Sequence, residues 1–311
     1  MGSLCALAAV FCFSVNDVSI KFLSGGYALH EVVLIRSAIG MTVLFAILVP
    51  LTGERAIWRT NRLGIHIIRG LCVVFANMTF FLGLAALPLA EGVALFFVSP
   101  LIITVFSVIF LKEFVGPRRW VAVGFGLLGV LIVLRPGSEV FQVAALLPIA
   151  AAFGYAGLHI LTRLIGKSES ALTMTFYVQI TFVVVSSGLG LSFGDGNLAG
   201  SENASLAFMF RQWVMRVGFD WIILVLVGTT SALGGFFISQ AYRVAEAGVV
   251  APFEYVAMPL AVLWGVMVFD EWPDLIAVLG ILLIIGSGLF MIWREAGSRE
   301  TEVSDTPRYR R

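Results

Sequence analysis

Hydrophobic residues in this chain neither alternate nor keep to one helical face; they run on in unbroken blocks separated by short polar stretches. The blocks fall at 3–23, 30–51, 64–85, 90–111, 120–135, 141–163, 171–193, 220–243, 249–270 and 274–293. Crossing a hydrocarbon layer of about 30 Å takes roughly 20 apolar residues as helix. All the blocks but the fifth approach that length. Barrel strands would alternate apolar with polar, so helices are expected. The pattern predicts an all-α integral membrane protein of ten transmembrane helices.

Basic residues orient the spans. With the amino terminus inside, the inner loops collect Arg55, Arg59, Arg62, Lys112, Arg118, Arg119, Arg163, Lys167 and Arg243. The tail adds Arg294, Arg299, Arg308, Arg310 and Arg311, against only Arg135, Arg211 and Arg216 outside. Cytoplasmic loops hold the excess of Lys and Arg, so both termini are expected in the cytoplasm. The stretch 194–219 then forms a polar outer loop, in which Asn203-Ala204-Ser205 matches a glycosylation acceptor that a bacterial chain would not use. The charged tail from Glu295 to Arg311 is expected to be disordered.

An internal repeat is visible. A shift of 156 residues lays Phe80-Phe81 on Phe236-Phe237, Ala85 on Ala241 and Gly92-Val93 on Gly248-Val249. Lys112-Glu113 closes the fourth block much as Asp270-Glu271 closes the ninth. A shift near 142 brings Phe11 onto Phe153, Asp17 onto His159 and Lys21 onto Arg163. Five spans per half is an odd number, so the halves are inverted relative to each other, a recurring transporter architecture. The expected division is 1–135, 136–293 and a tail, 294–311.

Composition narrows the classes. Of 311 residues, 59% are hydrophobic and 13% charged, with mean hydropathy +1.00; soluble domains carry about a quarter charged residues. Basic and acidic residues number 20 and 19, which gives no electrostatic reason to expect nucleic acid. Cys5, Cys12 and Cys72 lie inside apolar blocks without metal-ligand or disulfide spacing, and no cofactor or metal is expected. The amino-terminal block lacks a basic leader and contains Asn16, Asp17 and Lys21, unlike a removable signal. Ala6 stands where a myristoylation site wants Ser or Thr.

Polar residues inside spans are the candidate site. Asp17 and Arg36 are calculated to lie at equal depth below the outer boundary, as an ion pair or a contact for substrate charge; Asp17 and Lys21 share a helix face. His159 and Glu254 lie at comparable depth on the opposite side of the midplane, and His159 offers a route to proton coupling. Asn16, Asn77, Gln179, Gln240 and Tyr255 offer hydrogen bonds to a bound molecule or between helices. Phe96, Phe97 and Trp264 suit a flat ring, or lipid. Pro100 in mid-span and Pro252 are expected to bend their helices. Arg69, near a span end, is expected to snorkel.

The chain resembles the drug/metabolite transporter superfamily in its EamA-type branch over residues 3–293. The resemblance rests on Phe13-Ser14-Val15-Asn16-Asp17-Val18-Ser19-Ile20-Lys21, Arg36, Ala251-Pro252-Phe253-Glu254-Tyr255, and Glu113 and Glu271 at helix ends. Within it, Asn16-Asp17, the stretch His66 to Gly70 and the Ala-Pro-aromatic motif look closest to the bacterial S-adenosylmethionine uptake carriers. It implies inverted five-helix halves and secondary transport without ATP across a bacterial inner membrane. The partners it implies are a small-molecule substrate, the lipid bilayer and protons as a candidate coupling ion. An exporter of amino acids, nucleobases or drugs is the alternative within the superfamily, and a polytopic enzyme or a passive channel the rivals outside it. His30-Glu31 lacks the second His of a zinc-protease motif, and neither a Gly-x-Ser-x-Gly elbow nor a phosphate-binding loop is present.

Overall fold

The computed structural model describes residues 2–54, 56–112, 117–136, 142–166, 168–214, 218–244 and 253–304. Arg55, Glu113, Lys167, Arg216, Gly248-Val249, Ala251-Pro252 and residues 305–311 lie outside them. The helices are α1 (Gly2–Leu23), α2 (Leu29–Thr52), α3 (Leu63–Leu84), α4 (Leu89–Phe96 and Ser99–Leu111) and α5 (Pro117–Leu134). The second half supplies α6 (Leu146–Ile165), α7 (Ala171–Phe193), α8 (Phe219–Val244), α9 (Ala257–Phe269) and α10 (Leu275–Ser304). Among the described residues, seven helical segments are long and apolar enough to cross a bilayer. Three shorter apolar ones, Val123–Leu134, Ala257–Phe269 and Leu275–Phe290, fall on the fifth, ninth and tenth blocks. α10 runs on to Ser304, past Glu295, where the charge pattern alone reads as a disordered tail.

Hydrocarbon offers backbone and hydroxyl groups no water, so each must bond within the protein. Ser19 accordingly donates to Val15 O at 2.6 Å, Thr104 to Pro100 O at 3.0 Å and Thr230 to Leu226 O at 2.8 Å. Large apolar side chains point outward, Leu191 at 91% and Leu275 at 83% exposure. Water would penalise such a surface, whereas lipid tails do not. In α2, Pro50 has no N–H for the Ala46 carbonyl, and the chain absorbs the mismatch as a π turn at Leu44–Leu48.

The packing repeats itself between halves. α1 packs on α8 as α6 packs on α3; α2 meets α8 as α7 meets α3; α4 meets α6 as α9 meets α1. The pairs α2–α7, α4–α9 and α5–α10 map onto themselves under the same exchange. That is the contact pattern of two five-helix halves related by a pseudo-two-fold axis. α4 and α9 also end alike: Lys112 and Asp270 both take the left-handed conformation, at φ 55°.

α5 and α10 meet through glycine. A Cβ on Gly129 would lie 2.9 Å from Gly280 O, and one on Gly280 would lie 2.9 Å from Gly129 O. Neither carbonyl can retreat without moving its helix. Gly280→Ala should therefore destabilise the folded protein by about 1–3 kcal/mol, the usual cost of overpacking. Gly286, on the same helix with nothing within 4 Å of its missing Cβ, is the control; Gly286→Ala should be neutral or slightly stabilising. Thermal unfolding in detergent reads the difference, and equal effects would refute the close approach.

Candidate functional site

One helix is interrupted within its length, and the described backbone of the second half turns at the equivalent place. α4 breaks at Phe97–Val98, just ahead of Pro100, whose missing N–H removes the helical donor of Phe96 C=O. In the second half, Phe253 and Glu254 are helical, Tyr255–Val256 form a turn, and α9 begins at Ala257 with Pro259 two residues on. The same offset that lays Lys112 on Asp270 lays Phe97 on Tyr255. The two breaks touch, with the rings of Phe97 and Tyr255 5.3 Å apart and both buried. Irregular backbone at membrane depth is tolerated only where protein buries it or where it lines a cavity.

Aromatic rings wall this junction. Phe96 stands 4.9 Å from Phe80 and 5.1 Å from Tyr155, centroid to centroid. Tyr155, halfway along α6, lies within electrostatic reach of both Glu254 and Asp17, and its ring meets His159 edge-on at 4.3 Å. Tyr255 points its hydroxyl at Gly288 of α10, where even a methyl group would collide with it. Asp17, Tyr155, Glu254, Tyr255, Phe97 and His159 thus share one region, drawn from both halves.

Asp17 and Arg36 feel each other's charge, yet form no direct ion pair among the described residues. Arg36 is 2% exposed; it donates Nη2 to Asn77 Oδ1 at 3.0 Å and lies over Phe182, 4.6 Å from the ring centroid. Asn16 joins α1 to α8 by donating to Val227 O at 2.9 Å, and Trp264 joins α9 to α1 by donating to Ser14 Oγ at 2.6 Å. Gln179 fills the α2–α7 crossing over Gly40, its Oε1 buried without a donor. Gln240 is half-buried on α8. Arg69 corrects the snorkelling expectation. It is 4% exposed and donates Nε to Thr162 at 2.8 Å and Nη1 to Met174 O at 3.0 Å, because acceptors on α6 and α7 lie nearer than water.

Sequence reasoning passed over both ends of the bundle. Lys21 bonds to Glu271, and the described part of the outer loop, 194–214, is docked onto the bundle. In that loop Arg211 donates to Ser24 O and Tyr27 O, and Trp213 to His30 Nδ1 at 2.5 Å. Ser205 donates to Leu82 O, and Asn203 caps the short helix Ala204–Phe210 by accepting from Leu206 N. The acceptor-like tripeptide is thus occupied by folding. At the opposite end Thr60 donates to Glu169, which stands 3.5 Å from His66.

Apolar helices whose packing repeats between two inverted halves fit a membrane transport protein. Residues 1–135 match the EamA-like transporter family. A riboflavin transporter of Vibrio cholerae is 30% identical over 302 residues, covering 96% of this chain and 95% of its own. An S-adenosylmethionine uptake transporter of Rickettsia prowazekii is 27% identical over 296 residues, at 95% and 94% coverage. One crystal structure superposes over 93% of this chain and 95% of its own with TM-score 0.65 at 17% identity, a likeness of fold alone. The chain belongs to the EamA-like transporter family of the drug/metabolite transporter superfamily. It is a multi-pass protein of the bacterial inner membrane that moves a small molecule and is not an enzyme.

The charges of Asp17 and Arg36 make a testable couple. Arg36→Gln alone leaves a carboxylate without its compensating charge and should cost about 3–5 kcal/mol. Adding Asp17→Asn should recover part of that loss. Folded yield and unfolding of the singles and the double measure it; strictly additive losses would show that the charges act independently.

Proposed function

We propose that this protein is a secondary transporter working by alternating access, with a central site that takes a cationic, ring-bearing metabolite. The observation that carries the reading is the meeting of the two helix breaks at Phe97 and Tyr255, beside the carboxylates of Asp17 and Glu254. Two carboxylates in a low-dielectric region favour a cation, and the rings of Phe96, Phe97, Tyr155 and Tyr255 suit a flat group stacked beside it. Asn77, Gln179 and Gln240 supply neutral hydrogen-bonding groups around the same helices, and Arg36 receives an anionic group of the substrate. Asn16 and Trp264 hold the site's walls together by their links between helices. Of the compounds named for the relatives, S-adenosylmethionine carries the cation and ring this site calls for; riboflavin carries the ring without the cation. The chain divides near residue 135 into the halves that rock against each other.

Glu254 is assigned to the substrate's cation. Glu254→Gln should then weaken binding by the 1.5–3 kcal/mol of a charge-assisted hydrogen bond, read as the thermal shift of purified protein against S-adenosylmethionine and riboflavin. If instead Glu254 carries protons, with His159 as its partner, the variant keeps binding and exchange but loses accumulation driven by a proton gradient. A variant that binds and accumulates like the parent removes Glu254 from both roles.

Both termini are assigned to the cytoplasm, on the asymmetry of Lys and Arg between loops. Reporter fusions after Arg62, Arg119, Lys167 and Arg243 should read as cytoplasmic, and fusions within 197–210 as periplasmic. A cytoplasmic signal from 197–210 would reverse the orientation.

A further inference from the structure

At the end of the bundle that carries the 194–218 loop, one ammonium ties three helix corners together. Lys21, in the last turn of α1, donates to Glu271 Oε1 and Oε2 at 2.7 and 2.9 Å and to Leu87 O at 2.6 Å. Glu271 Oε2 also accepts the N–H of Leu89, the first residue of α4, at 2.8 Å. Lys21 and the α3–α4 corner belong to the first half, Glu271 to the α9–α10 corner of the second. The link therefore spans two bodies that must move relative to each other in alternating access.

Its surroundings fit a bond that opens and closes. The two side chains are 9% and 27% exposed, so water can take over their charges when they part. A cavity of about 120 Å³ lies alongside, lined among others by Leu87, Glu91, Leu95, Arg135 and Asp274. It reaches from the corner that Lys21 holds to Leu95, the residue before Phe96 in the wall of the central site.

We propose that Lys21 and Glu271 form the loop-side gate of the carrier, closed in this structure, and that the step inward from the adjoining cavity past Leu95 is what it bars. Parting the pair frees the α9–α10 corner from α1 and from the start of α4, and opens the way from the cavity inward past Leu95. The proposal rests on the transport reading above, but its test reads access and needs no transported compound.

The test places a reporter cysteine at Leu95, 1% exposed, after Cys5, Cys12 and Cys72 have been replaced by alanine. A charged, membrane-impermeant thiol reagent is added to purified protein, and labelling rate is followed by mass. With the native pair, labelling should be slow. Glu271→Gln keeps an oxygen for the Leu89 N–H while removing the charge that holds Lys21. It should raise the rate about tenfold or more, the ratio expected for loss of one charge-assisted hydrogen bond. Lys21→Met should do the same and Lys21→Arg should keep the reporter protected, all in monodisperse protein. Unchanged labelling in Glu271→Gln overturns the proposal. So does a Glu271→Gln protein that no longer folds, since the pair would then be structural. A Glu254→Gln protein that binds substrate like the parent while the gate variants behave as described would sink the substrate assignment alone.

Discussion

A peptide group inside hydrocarbon must find its hydrogen bond within the chain, and this requirement governs the whole molecule. It makes every span a helix, turns side-chain hydroxyls back onto their own carbonyls, and confines irregular backbone to places that protein surrounds. The chain departs from it ahead of Pro100, between the two segments of α4, and ahead of Pro259, at the Tyr255–Val256 turn before α9. Both departures are gathered at one point, ring against ring, in the interior. Two carboxylates that hydrocarbon would reject, Asp17 and Glu254, lie within electrostatic reach of Tyr155 beside that same point.

Symmetry carries the argument from fold to mechanism. The most extensive helix contacts of one half have counterparts in the other, and three helix pairs straddle the relation itself. The links between halves are of two kinds. Near the centre they are mostly aromatic contacts, tolerant of sliding. At the ends they are polar and specific: Lys21 with Glu271, Arg135 with Asp274, Arg69 with Thr162 and Met174, and Thr60 with Glu169. Asp274 lies outside the spans, and its carboxyl is held below the ordinary aspartate range by the Arg135 guanidinium and then by the Ala277 N–H. That contribution is in place at neutral pH and fades only as pH falls through the depressed value.

How much was legible in the sequence follows from the range of each interaction. Spans are read from local composition, since a continuous apolar run has one solution in a bilayer. Pro100 is read for the same reason: the missing N–H is a property of the residue itself. The π turn before Pro50 escaped because proline announces a disturbance without stating how the chain absorbs it. Lys21 escaped because its partner lies 250 positions away, and its nearer neighbour Asp17 offered a plausible alternative. Arg69 was misjudged because its depth argued for water, whereas Thr162 and the Met174 carbonyl become acceptors only once α6 and α7 pack against α3. Candidate site residues were identifiable one by one as costly polar groups in apolar blocks. Which of them face one another was not, because that is decided between helices.

The caps of α4 and α9 carry a further meaning. Left-handed backbone strains any residue with a Cβ, by about 1–2 kcal/mol, and glycine would relieve it. The chain instead uses a lysine and an aspartate, opposite in charge and alike only in φ and ψ. Few identical side chains stand in register between the two halves, yet they hold the same torsion at the same step. What the two halves share at this position is a dihedral angle and not a residue. Comparison of backbone torsions should therefore find the boundaries of ancient repeats where comparison of letters has gone silent.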